Sequence, residues 1–129
     1  MNNLITSLIL ISTSLLFNAC NQPDDITVIM TPKHGDIIAK QDLESVKFEI
    51  ALQSDNELHE INVQLYEKEN PENLIINQSS HNHLLEYSVD KNIDLSNYTS
   101  GTEFIFLVSI AQYHDGSAFR IPMTTFSIE

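Results

Sequence analysis

An all-β sandwich of about seven antiparallel strands is the fold this sequence predicts, and three observations carry it. Apolar and polar residues alternate at period two through most of residues 26–129. Turn signals rich in Pro, Gly, Asn and Asp separate the alternating runs. No long segment after Asp25 has the 3.6-residue apolar period of an amphipathic helix. About seven such runs in about 100 residues is the count expected of a sandwich.

The elements follow in order. Met1 to Ala19 carries no charged side chain, and Leu4 to Phe17 is apolar except for Thr6, Ser7, Ser12, Thr13 and Ser14. That run is shorter than the ~20 residues a bilayer crossing needs. It suits the apolar helix of a secretory signal, with small Ala19 before the cut. The organisation expected is a signal at 1–19, Cys20 with a short tether at 20–25, and one domain at 26–129. Ile26–Met30 opens the domain. Val46, Phe48, Ile50 and Leu52 form a clear stripe, and Ile61, Val63 and Leu65 a second. Leu74–Asn77 and Leu84–Val89 are weaker strands. Phe104, Phe106, Val108 and Ile110 are backed by Ile105 and Leu107, as in a central strand apolar on both faces. Asp115-Gly116 is a hairpin cue before the last run, Phe119–Ile128. Pro122 marks an edge or bulge within that run. "QSDNE", "ENPEN" and "KNIDLSNYTSG" are the expected turns, and Phe48, Phe104, Phe106, Phe119 and Phe126 the aromatic core.

Two resemblances add to this. Phe17-Asn18-Ala19-Cys20 resembles the lipobox of bacterial lipoprotein precursors, in which a lipid is attached to the cysteine sulfur and the signal is cut just before it. Ala19 and Cys20 match that box, while Phe17 and Asn18 depart from its commonest residues. The resemblance implies that Cys20, the single cysteine, is the lipidation site. The residues alone also admit an ordinary signal peptide with Cys20 as a bystander, or an uncleaved anchor helix. Further along, "IDLSNYTSGTEFIFLVSIAQYHDG" and "SDNELHEINVQLY" resemble the E–F corner to F–G turn, and the B–C loop and strand C, of bacterial immunoglobulin-like domains. Tyr98 then takes the tyrosine-corner part. The implied fold is a single immunoglobulin-like antiparallel β-sandwich, of the kind found in small lipoproteins.

Composition narrows the function. All 18 acidic and six basic residues follow Ala19, giving a formal charge of −12. Such a chain repels phosphate backbones, so no nucleic-acid partner is expected. Attachment to a membrane would rest on covalent lipid rather than on charge. With no cysteine after Cys20, packing alone must hold the domain.

Five histidines are the most distinctive polar feature: His34, His59, His81, His83 and His114. His81 and His83, spaced i and i+2, share one face of a strand at a spacing that suits a shared metal. In immunoglobulin-like topology the B–C, D–E and F–G loops gather at one end. That would bring His59, His81, His83 and His114 to one rim as zinc or copper ligands, with Asp55, Glu57 and Asp115 as oxygen neighbours. The plain alternative is a set of exposed loop histidines. Ser54 to Glu57 supplies too few oxygens for calcium and is expected to be a solvated acidic loop. The His, Asp and Ser of "YHDGS" lie too close in sequence to form a triad unaided. No nucleophile elbow, phosphate loop, HExxH or CxxC is present, so an enzyme is not expected.

The expectation is an envelope lipoprotein held by lipid on Cys20 at the outer membrane, on its periplasmic or surface face. It would act as a non-catalytic binding or accessory module for an envelope protein or glycan. The alternative is a periplasmic metal-binding lipoprotein using the histidine cluster.

Overall fold

The structure, a computed structural model, describes residues 26–112 and 119–129. Cys20, the segment expected to be a signal and the boundaries expected at 19 and 25 lie outside the described residues. So do Tyr113, His114, the Asp115-Gly116 turn and the Phe119 side chain.

Among the described residues seven strands form: β1 (Ile26–Thr31), β2 (Ile37–Ile38), β3 (Val46–Glu67), β4 (Asn70–Ile93), β5 (Glu103–Ala111), β6 (Phe119–Arg120) and β7 (Met123–Ile128). A six-residue 3-10 helix, Lys40–Ser45, leads into β3 and buries Leu43. Hydrogen bonding links the strands in the order β1-β3-β5-β7-β2, with β4 along β3 and β6 along β5. Every pairing is antiparallel except the short parallel β2–β7 contact. The fold is the expected all-β, seven-stranded class.

Two strands are much longer than the sequence pattern suggests. The stripes at Val46–Leu52 and Ile61–Leu65 are one strand, β3. The runs at Leu74–Asn77 and Leu84–Val89 are likewise one strand, β4. "QSDNE" therefore lies within a strand, and the β3–β4 turn is only Lys68-Glu69.

These long strands cannot be straight. Phe106 lies opposite Leu65 of β3, yet its ring centroid is 5.2 Å from that of Phe48. In a straight β3, Phe48 and Leu65 would stand roughly 55 Å apart. On β4, Gln78 Nε2 donates to the Tyr87 hydroxyl at 3.2 Å, across what would be roughly 30 Å of straight strand. Both strands thus fold back on themselves between these points. The single hydrogen-bonded sheet becomes two facing layers: β1 with the first half of β3 and the second half of β4, against the remaining halves with β5, β7 and β2.

The corner is a broad bulge. Between Gln53↔Glu86 and Glu60↔His81, β3 advances seven residues and β4 only five. The surplus changes which residues face inward. Val46, Phe48, Ile50, Leu52 and Ser54 are buried before it, and Ile61, Val63 and Leu65 after it. Without that change the second stripe would face solvent. Between the layers, Phe48 packs on Phe106 and Phe126, and Phe126 stacks on Phe104 with ring centroids 5.2 Å apart. Tyr98, in the β4–β5 connection, meets Phe104 edge-on at 4.9 Å. It packs against the core at the end opposite the corner.

Candidate functional site: the histidine corner

The local sequence explains why the chain bulges where it does. The Asn56 amide donates to Ser54 Oγ at 3.3 Å, a side-chain turn that competes with the ladder. Leu58 is then drawn fully into the core. Because alternate side chains point to opposite faces, a buried Leu58 sends Glu57 and His59 outward together. Ser54 is itself buried and accepts from Gln112 Nε2 at 3.3 Å, fastening the end of β5 to the corner.

On the neighbouring strand, Leu84 pairs with Leu58 and His81 with Glu60. His83 therefore comes alongside His59, and His81 shares its face two residues away. The ring centroids of His59 and His83 are 4.8 Å apart, those of His81 and His83 5.3 Å, and those of His59 and His81 6.4 Å. His83 Nδ1 is 3.2 Å from Glu57 Oε2. Glu57, His59 and His83 each offer one ligand atom, all within 4.8 Å of one another. His59 Nδ1 is shielded from solvent, while Glu57, His81 and His83 are exposed.

Three of the four histidines expected at this rim are thus neighbours, and His114 lies outside the described residues. They are not loop residues, since β3 and β4 run through the corner unbroken. Glu57, anticipated only as an oxygen neighbour, is part of the donor group. Its role was hard to foresee because it depends on the inward turn of Leu58. His34 lies elsewhere, accepting from the Thr125 amide at 3.4 Å beside the β1–β2 connection.

Two imidazoles and a carboxylate at this spacing can share a metal ion. Nitrogen donors suit borderline metals such as zinc and copper, whereas calcium and magnesium prefer all-oxygen sets. Coordination would replace the Glu57–His83 contact and require neutral imidazoles, so binding would weaken in acid.

No protein-family model matches the chain, and no curated protein matches it in sequence. Among solved structures it is similar to the sensor domain of the anti-sigma factor RsgI4 of Pseudobacteroides cellulosolvens. The TM-score is 0.50 at 13% identity, over 82% of this chain and 94% of that one. The CARDB domain of the PF1109 protein of Pyrococcus furiosus, in complex with di-metal ions, gives a TM-score of 0.48 at 12% identity, covering 84% and 90% of the two chains. The RsgI4 similarity is one of fold, that of a β domain.

Proposed function

We propose that this chain is a lipid-anchored, non-catalytic binding module of the bacterial envelope, and that it binds a transition metal, zinc or copper, at the histidine corner. The observation that carries the metal reading is the convergence of Glu57, His59 and His83 within 4.8 Å on two adjacent strands. The anchor rests on the signal-like segment and Cys20 in their lipobox-like setting. Acylation would turn the only thiol into a thioether and remove it as a thiolate ligand, which leaves the imidazoles as the nitrogen donors for a borderline metal.

Register supports one feature of the anchored state. Ile26 pairs with Ser54, three residues before Glu57. The residues between Cys20 and Ile26 span at most roughly 20 Å. A lipid on Cys20 would therefore hold the corner toward the bilayer and present the Tyr98 end outward. The partner class, protein or glycan, would meet that outward end or the exposed sheet faces.

The test uses protein purified without chelator. Metal content is measured, followed by zinc and copper titrations of the wild type and of His59→Ala and His83→Ala. Stoichiometric metal, lost in both variants, is the expected result. A wild type that binds neither ion overturns the metal reading and leaves the accessory-module reading. Fractionation of Cys20→Ser cells tests the anchor separately: loss of the protein from membranes is expected, and unchanged membrane association excludes acylation at Cys20.

A further inference from the structure

We infer that His81 closes the site, so that the corner holds its metal by four protein ligands, three imidazoles and the Glu57 carboxylate, with no position left for water. This rests on the metal reading above and deepens it. Metal–nitrogen bonds of 2.0–2.1 Å at tetrahedral angles put the centroids of any two bound imidazoles about 5.2 Å apart. The His59–His83 and His81–His83 separations are 4.8 and 5.3 Å, and the His59–His81 separation is 6.4 Å. His83 thus already stands near that spacing from both other rings, and the His59–His81 separation has to shorten for one tetrahedral ion to take all three.

His81 stands outside the tighter donor group although its ring centroid is 5.3 Å from that of His83. Rotation about two side-chain bonds is enough to redirect an exposed imidazole, and His81 is exposed on the same strand face as His83. In that arrangement β3 supplies Glu57 and His59, while β4 supplies His81 and His83. The ion bridges the strands across the bulge, where their register slips by two residues. A site closed by four protein ligands is of the structural kind; catalytic sites keep an open position. The ion therefore acts as a staple on the corner and stabilises the folded chain when bound.

Cobalt(II) alone is the probe, because its visible spectrum distinguishes four-coordinate from water-expanded sites. Wild-type protein and His81→Ala are each titrated with cobalt and then with zinc, and their metal-free melting temperatures are compared to confirm equal folding. The expected wild-type spectrum has the intense bands of a tetrahedral site. In His81→Ala those bands should collapse, and zinc affinity should fall by more than the ~10–100-fold that losing an outer-shell partner costs. His81→Asp, which restores a ligand, should recover most of the affinity. A wild type that binds cobalt with weak bands, or a His81→Ala variant indistinguishable from it, overturns the closure and leaves the metal site standing. A wild type that binds neither cobalt nor zinc overturns both.

Discussion

Phe48 stands where the two layers meet, nearly fully buried and in ring contact with both Phe106 and Phe126. Truncation there removes contacts to the opposite layer and leaves a cavity in the core. Phe48→Ala should cost roughly 3–5 kcal/mol in denaturant unfolding, and the metal-free protein should show it as fully as the loaded one. Tyr87 makes a subtler case. Burial raises its pKa above the ordinary phenol value, and the hydrogen bond from Gln78 partly opposes that rise. A raised pKa means that the neutral phenol is favoured in the folded state. Its contribution to stability is complete below the ordinary value near 10 and is lost as pH climbs through the raised one. In a tyrosinate absorbance titration, the component missing from Tyr87→Phe should therefore titrate late. Gln78→Ala should delay it further, whereas an unshifted component would mean that the β4 fold-back is looser than the 3.2 Å contact implies.

At the scale of elements, the bulge of β3 decides both fold and site. Leu58 is the only apolar residue between Leu52 and Ile61, and it is completely buried. Its inward turn also aims Glu57 and His59 outward. Leu58→Ala should cost roughly 2–5 kcal/mol and should weaken zinc binding as well, because the flanking donors lose their fixed direction. Calorimetry with and without zinc checks both; full stability loss with unchanged affinity would separate the site from the corner. The same element shows what was legible in advance. The alternating stripes of β3 and β5 identified the inward residues, and i, i+2 spacing placed His81 beside His83. That stripes 46–52 and 61–65 belong to one strand was not legible, because "SDNE" has turn composition whether the chain leaves the sheet or bulges within it. The join depends on β4 remaining paired across the gap, a long-range condition with no local signature. β2 was missed for a related reason: two residues, Ile37 and Ile38, carry no periodicity, and their strand exists only through pairing with Ser127 and Ile128.

For the whole molecule the governing quantity is a formal charge of −12 against six basic residues. Lys47 lies 3.1 Å from Glu49 and 3.4 Å from Asp90, and Lys68 lies 2.7 Å from Glu103. These exposed pairs offset little of the repulsion. Compaction therefore works against self-repulsion, which salt screens over a Debye length of about 8 Å at 0.15 M. Raising sodium chloride from about 10 mM to about 0.5 M should increase the melting temperature by a few degrees. Zinc must be distinguished from this general effect, since any cation near so acidic a surface stabilises it somewhat. Micromolar zinc barely changes ionic strength, so a rise in melting temperature at that level reports a site. Magnesium at the same concentration should give none, because two or more imidazoles suit it poorly. The zinc increment should vanish in His83→Ala while the salt increment remains. Equal shifts from zinc and magnesium, or a zinc shift that survives His83→Ala, would assign the effect to the diffuse charge of the domain instead of the corner.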